Sequence, residues 1–214
     1  MSSYGKDIKT KADQTAHVYI CNNLSKTGIP IVSEEDDNDS FDINRYQWII
    51  DPIDGTMNFS KGFEMSAVSI ALWDKGVPIL GVIHHLFLNQ VFFSSLNQGA
   101  WLNEKMISIS KVKNNNEAML ATGFPSGRNF SKESLNQFVK NVQVYKKIRM
   151  LGSASLMLAY VACGYFDIYQ EDDIYIWDVA AGLALISEAG GVYAIEPGSS
   201  EFKFNVRATN KNLI

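Results

Sequence analysis

The sequence predicts a mixed α/β fold with layered sheets. Residues 78–110 are rich in short apolar runs separated by turn residues, which is typical of a β-meander. Helical and strand patterns then alternate from residue 118 onward. The 214 residues, 46% of them hydrophobic, can bury a substantial core. No repeat or linker interrupts the pattern, so we expect residues 1–214 to form a single domain.

The first half is predicted to open with a helix and to continue as strands. Residues 10–25 place apolar side chains at every fourth position, which favours a helix. Residues 46–51 and 66–73 are predicted to be buried strands. The turn signals at 88–90, 97–99 and 103–105 divide residues 78–110 into further strands.

Three helices are predicted in the second half. They cover 131–144, beginning at Ser131, then 153–163, closed by Gly164, and 178–189, ended by Gly190. The intervening strands are predicted at 118–123, 146–151, 165–169, 192–195 and 206–209.

Composition narrows the classes of partner. The 19 Lys and Arg against 23 Asp and Glu give a net charge of −4, which disfavours nucleic acid and anionic membranes. The two cysteines offer neither a disulfide framework nor a zinc motif, as expected in a reducing compartment. The first residues lack a signal-peptide pattern, and no apolar run is long enough to span a membrane. We therefore expect a cytoplasmic protein.

The acidic residues are concentrated in two windows, 33–54 and 171–178, which hold about half of the 23. We expect the run from Asp36 to Asp42 to be a solvated loop. Asp51 and Asp54 differ, because they follow the apolar run Trp48-Ile49-Ile50, and Pro52 predicts that the strand ends at Asp51. Buried carboxylates need a partner, and oxygen ligands select Mg²⁺, Mn²⁺ or Ca²⁺.

Other groups near this corner suit a phosphate. The Ile53 carbonyl offers another oxygen, while Gly55 and Thr56 expose backbone N–H groups. Asp178 also follows an apolar run and is predicted to open a helix. A phosphate held between protein amides and two metal ions is the arrangement of two-metal phosphoryl transfer.

Four motifs in order give the chain its resemblance to a known family. They are Ser33-Glu34-Glu35, Asp51-Pro52-Ile53-Asp54-Gly55-Thr56, Trp177-Asp178-Val179-Ala180-Ala181 and Glu188-Ala189-Gly190-Gly191. The sequence resembles the inositol monophosphatase family of magnesium-dependent, lithium-sensitive phosphatases, in its polyol or sugar-phosphate branch. The resemblance runs from about Asp7 to the C-terminus and implies the layered αβαβα sandwich of the inositol monophosphatase and fructose-1,6-bisphosphatase type.

The resemblance also implies a role for each acid. Glu34, Asp51 and the Ile53 carbonyl would hold one Mg²⁺, and Asp51, Asp54 and Asp178 a second. Glu34 and Thr56 would orient and deprotonate the attacking water. Asp13, in Thr10-Lys11-Ala12-Asp13, would be tied to a weaker third ion. Mn²⁺ or Ca²⁺ can replace Mg²⁺ in binding.

On the substrate side, the resemblance implies contacts from two turns and one carboxylate. The residues are Asp54, Gly55, Thr56, Gly152, Ser153, Ala154 and Glu171. Ser126 and Arg128 lie in a further loop that can approach the substrate. Asp172 and Asp173 are expected to be solvated, and Glu171 could equally be a surface acid.

The chain also departs from the family pattern. Measured against that pattern, we expect the family's first helix to be missing ahead of Asp7, and Ser33 stands at the position of the usual glycine. A homodimer is the family expectation. The alternatives are a 3′-phosphoadenosine 5′-phosphate phosphatase, a fructose-1,6-bisphosphatase, a histidinol phosphate phosphatase, a non-catalytic regulatory member and a structural Ca²⁺-binding protein.

The adjacent His84 and His85 should face opposite sides of a strand and be structural, and Cys163 should be packed.

Overall fold

The computed structural model describes residues 11–37, 40–124 and 131–213. In this part of the chain the helices are α1 (Lys11–Leu24), α2 (Thr56–Lys61), α3 (Lys132–Val142), α4 (Ala154–Ala162) and α5 (Ile176–Glu188). Short 3-10 turns cover Ser25–Thr27 and Asn115–Glu117. The three helices predicted for the second half, and the one predicted at the start, are confirmed to within a few residues.

The first sheet has seven strands in sequential order. They are β1 (Ile31–Ser33), β2 (Gln47–Asp54), β3 (Ala67–Asp74), β4 (Val77–His85), β5 (Gln90–Ser95), β6 (Ala100–Leu102) and β7 (Lys105–Ile107). Within the described residues of this sheet, the β1–β2 pair is parallel and every later neighbour is antiparallel. The predicted meander is confirmed.

The second sheet has five strands in the order β11-β12-β10-β8-β9. They are β8 (Met119–Ala121), β9 (Lys147–Arg149), β10 (Ile168–Tyr175), β11 (Val192–Pro197) and β12 (Lys203–Thr209). Strands β8, β9 and β10 run parallel, whereas β12 is antiparallel to both of its neighbours.

Helices α4 and α5 lie between the two sheets. The Trp73 indole N–H on β3 donates to the Ala180 carbonyl of α5 at 3.3 Å, and one continuous core includes residues of both sheets and both helices. Helix α1 packs on β1 and β2 at the outer face of the first sheet. Phe138 and Val142 of α3 lie beside Leu120 of the second sheet. The predicted αβαβα layering is thus confirmed, and the single-domain organisation stays a prediction that the shared core supports.

One strand boundary was predicted wrongly, at Pro52. Strand β2 does not end at Asp51 but continues to Asp54, with a shift in its register against β3 between these residues. Pro52 lies within this irregularity, where the ladder does not require the N–H that proline lacks. The bulge keeps both aspartates on a buried strand end instead of a turn.

The β10 region also differs from the prediction. β10 spans Ile168–Tyr175 instead of 165–169, and it contains a register shift between Glu171 and Ile174. Asp173 lies in this shift with φ of 60°, and its carboxylate accepts from Ser199 N at 2.8 Å and Lys203 Nζ at 3.1 Å. Asp173 is therefore paired and not simply solvated. Helix α5 begins at Ile176, so Asp178 lies in its first turn and does not open it.

Among the described residues, no helix combines the length and apolar character needed to cross a bilayer.

Candidate active site

Three aspartates from distant parts of the sequence converge at one end of β2. Asp51 and Asp54 come from the bulged end of this strand, and Asp178 from the first turn of α5. One carboxylate oxygen from each lies within 4.8 Å of the other two. Asp51 and Asp54 are buried, at 1% and 6% exposure. Because the hard oxygen ligands are this close, the cluster could hold a divalent metal ion.

The cluster is unfavourable when it is ionised without a cation. Burial, followed by the charges of Glu34 and Asp54, raises the pKa of Asp51 well above its ordinary value. Burial and the charges of Asp54, Glu34 and Glu171 raise the pKa of Asp178 in the same way. These acids therefore bind protons more readily than free carboxyl groups do, and a bound cation would compete with those protons.

Asp54 is held in place by the start of α4. Its Oδ2 atom accepts from Ser153 Oγ at 2.5 Å, from Ser155 N at 2.8 Å and from Ser155 Oγ. These bonds lower the pKa of Asp54, but burial outweighs them and the net direction is upward. With Oδ2 occupied by three donors, Oδ1 is the oxygen that remains for a cation.

Thr56 joins the β2 end to helix α1. Its hydroxyl lies 3.1 Å from Asp13 Oδ1 and 2.9 Å from the Ile53 carbonyl, so it can donate to either acceptor. Asp13 is 1% exposed and lies in the first turn of α1. Donation in this direction leaves the oxygen lone pairs of Thr56 free to accept a hydrogen bond from another molecule.

Glu34 reaches the cluster from the end of β1. Its backbone N–H donates to the Ile50 carbonyl at 3.2 Å, which places the residue directly beside β2. The Glu34 carboxyl shares a hydrogen bond with Asp51, and its charge raises the pKa of both Asp51 and Asp178. The structure thus brings together all of the acids that the sequence assigned to metal binding.

The two turns expected on the substrate side lie against each other. Gly55 has φ of 82°, and a Cβ atom there would lie 2.8 Å from the Met65 carbonyl oxygen and 2.9 Å from that of Gly152, so only glycine fits. The Asn58 amide donates to the Met65 carbonyl at 2.8 Å and to the Leu151 carbonyl at 2.7 Å. This amide fixes α2 against the turn that carries Gly152, Ser153 and Ala154.

Glu171 is not a plain surface acid. It is 6% exposed, and its Oε2 accepts from the Tyr169 hydroxyl at 3.0 Å. A Cβ atom at Gly123 would lie 2.7 Å from Glu171 Oε1, so the missing side chain at that position makes room for the carboxylate. Its charge contributes to the raised pKa of Asp178, which places it near the aspartate cluster.

Sequence reasoning missed three residues that organise the site: Ser155, Asn58 and Tyr169. The serines on both sides of the α4 start were a usable signal for Ser155, because such residues cap helices and bind carboxylates. Asn58 and Tyr169 gave no signal, since their partners come from other elements. Ser126 and Arg128 lie outside the described residues.

The histidine pair behaves as predicted. His85 is fully buried, and its Nδ1 accepts from the N–H groups of Phe87 and Leu88 at 3.3 Å, whereas His84 is exposed. Cys163 is half-buried, and burial raises its pKa to about 12, so this thiol is packed and unreactive.

A sequence profile of the inositol monophosphatase family matches residues 2–209, almost the whole chain. The chain belongs to this family. Among its curated relatives in the family, Nus factor SuhB of Xylella fastidiosa is 45% identical over 149 residues, covering 69% of this chain and 54% of that protein. Inositol-1-monophosphatase of Synechocystis sp. is 34% identical over 190 residues, covering 87% of this chain and 66% of that protein. The matches therefore span less than two thirds of these two relatives.

Solved structures of the family agree with the fold. Inositol monophosphatase from Anabaena (Nostoc) sp. has a TM-score of 0.83 at 32% identity, covering 94% of this chain and 82% of that one. The extragenic suppressor protein suhB from Bartonella henselae has a TM-score of 0.81 at 33% identity, covering 94% of this chain and 80% of that one. The family fold inferred from the four motifs is confirmed.

Proposed function

We propose that this protein is a Mg²⁺-dependent phosphomonoesterase that hydrolyses a small polyol or sugar phosphate. The observation that carries the proposal is the convergence of Asp51, Asp54 and Asp178, with ligand oxygens within 4.8 Å of one another. Such a cluster destabilises the folded protein when it is ionised without a cation, and it is stabilised when it holds cations.

The donor set fits hard divalent ions. Glu34, Asp51 and the Ile53 carbonyl would hold one ion, and Asp51, Asp54 and Asp178 a second. All of these donors are oxygens, which favour Mg²⁺, Mn²⁺ or Ca²⁺ over Zn²⁺. When bound, such ions lower the pKa of water and stabilise negative charge on phosphate oxygens.

Glu34, Thr56 and Asp13 prepare the attacking water. Thr56 donates to Asp13 or to the Ile53 carbonyl, so its oxygen accepts one hydrogen of the water. The Glu34 carboxylate accepts the proton that the water loses as its oxygen bonds to phosphorus. As this bond forms, the bond from phosphorus to the ester oxygen breaks, and the leaving oxygen takes up a proton from solvent water, which releases the alcohol and inorganic phosphate. No phosphoenzyme is formed.

The substrate class follows from the groups around the aspartates. Glu171 is an acceptor for substrate hydroxyl groups, held by the Tyr169 hydroxyl, and the turn at Gly152-Ser153-Ala154 lies beside Gly55. A polyol or sugar phosphate presents a phosphate and several hydroxyl groups together. Relatives named inositol-1-monophosphatase support the same class.

The test is turnover of p-nitrophenyl phosphate, followed by a panel of inositol, glycerol, hexose, histidinol and adenosine phosphates, with Mg²⁺ and with EDTA. We expect phosphate release that requires Mg²⁺ and favours the polyols or sugars. Asp54→Asn should abolish turnover, while the matched Glu104→Gln, an exposed acid in the β6–β7 turn, should not change it. Turnover in EDTA, or full activity in Asp54→Asn, would contradict the mechanism. Preference for an adenosine bisphosphate or for fructose 1,6-bisphosphate would move the chain to another branch.

The relatives named Nus factor SuhB favour a second candidate, a Nus-factor role for this chain. Such a role is separable from hydrolysis, because Asp54→Asn should remove turnover and leave the folded surface intact. The homodimer and the cytoplasmic location stay predictions.

A further inference from the structure

A second cluster of metal-ligand side chains lies outside the aspartate cluster, where α1 meets the end of β1. It consists of His17 and Cys21, one helical turn apart, and Asp36, which follows β1. His17 Nε2 lies 3.3 Å from Asp36 Oδ1 and 3.8 Å from Cys21 Sγ. One ligand atom from each residue lies within 4.8 Å of the other two.

These separations are close to those in a tetrahedral zinc site. Zinc bonds of about 2.0–2.2 Å to nitrogen and oxygen and about 2.3 Å to sulfur place the nitrogen and oxygen roughly 3.4 Å apart, and the nitrogen and sulfur roughly 3.6 Å apart. The observed distances of 3.3 and 3.8 Å differ from these by a few tenths of an ångström. Cys21 Sγ also lies 3.6 Å from His17 Nδ1, so an ion on Nε2 requires the Cys21 side chain to rotate until its sulfur faces Nε2.

Ser33 orients the imidazole for this role. His17 Nδ1 lies 2.9 Å from Ser33 Oγ. In the tautomer that donates Nδ1–H to this hydroxyl, the lone pair of Nε2 faces Asp36, with which Nε2 is paired at 3.3 Å in the metal-free protein. Ligating histidines generally hold their other nitrogen in this way.

We propose that His17, Cys21 and Asp36 bind one Zn²⁺ ion, with the fourth position left to water. A thiolate, an imidazole and a carboxylate together select zinc over magnesium, in contrast to the oxygen-only aspartate cluster. The ion joins α1, which carries Asp13, to the turn after β1, which carries Glu34. The site thus acts as a clamp between two elements of the candidate active site.

Burial and the charge of Asp36 raise the pKa of the Cys21 thiol, so the sulfur is protonated in the metal-free protein. A bound metal ion displaces this proton, as it does for other coordinating thiols. The cysteine count and spacing in the sequence did not indicate this site, because Asp36 lies after β1 and only the fold brings it beside His17 and Cys21 of α1.

The test is a Co²⁺ titration of the whole chain in excess Mg²⁺, which occupies oxygen-only sites. Cobalt bound to a thiolate gives a near-ultraviolet charge-transfer band, and cobalt bound to oxygen alone does not. We expect one equivalent of the band in the wild type, its loss in Cys21→Ser, and at least a tenfold weaker titration in His17→Gln. The control Cys163→Ser, which removes the other thiol, should keep the band, and Zn²⁺ should displace it.

Thermal unfolding is the second measurement. Zn²⁺ should raise the Tm of the wild type and of Cys163→Ser but not that of Cys21→Ser. Asp54→Asn, which should be inactive, should keep the cobalt band, because the zinc site does not depend on the phosphatase proposal. A wild type without the band, or a Cys21→Ser variant that retains it, would overturn the assignment.

Discussion

Asp178→Asn should produce a protein that is inactive and yet more stable without metal. The aspartate lies within 4.8 Å of two other carboxylates. At that distance and an effective dielectric constant of about 20, two full charges repel by roughly 3.5 kcal/mol. Because bound protons already relieve part of this repulsion, we expect a gain of about 1–3 kcal/mol, or roughly 2–12 °C in Tm for a chain of this size.

The size of the stability difference between Asp178→Asn and the wild type depends on pH. The pKa values of Asp51 and Asp178 are raised in the folded protein, so the folded state binds more protons than the unfolded state above the ordinary carboxyl range. The metal-free wild type should therefore lose stability as pH rises from about 4 toward neutrality. The advantage of Asp178→Asn should be small at pH 4 and should grow as pH increases. Asp178 shares a side-chain hydrogen bond with Asp51, and an asparagine amide at this position can donate to Asp51, so the geometry should be preserved.

The assay is thermal unfolding of both proteins across this pH range, in EDTA and in Mg²⁺. Mg²⁺ should stabilise the wild type most near neutral pH, and it should stabilise Asp178→Asn much less. Glu104→Gln is the control for removal of one negative charge, and it should follow the wild type. The reasoning fails if metal-free Asp178→Asn is less stable than the wild type at neutral pH, or if Mg²⁺ stabilises both equally.

The remaining predictions concern single contacts. Thr56→Ala should lower kcat about 10–100-fold and leave the Mg²⁺-induced Tm shift unchanged. Thr56→Ser keeps the hydroxyl and should therefore keep most of the rate. Equal rates for the two variants would exclude the hydroxyl from the reaction. Tyr169→Phe removes the hydroxyl that donates to Glu171. KM for a polyol phosphate should therefore rise roughly tenfold with little change in kcat. An unchanged KM would place Glu171 outside the substrate site. Gly81→Ala puts a Cβ atom 2.5 Å from the Ala181 carbonyl oxygen, and denaturant unfolding should show a loss of about 1–3 kcal/mol unless α5 can shift.

Local sequence patterns were sufficient to predict most of the helices and strands. The four-residue spacing of apolar side chains predicted α1, and the turn residues at 88–90, 97–99 and 103–105 predicted the meander. Both signals depend on neighbours in sequence, where periodicity and turn chemistry are decisive. The prediction failed at Pro52 and in β10, because a bulge is stabilised by the strand beside it.

The four sequence motifs, through their resemblance to a known family, were enough to predict that Asp51, Asp54, Asp178 and Glu34 hold two metal ions, and this assignment stays a prediction. The tertiary structure decided what holds these acids: Ser155 bonds to Asp54 across 101 positions, and Thr56 lies beside Asp13 across 43. It also brought Asp36 beside His17 and Cys21. Contacts of this kind depend on the registers of strands and helices that are distant in sequence, and no local pattern encodes those registers.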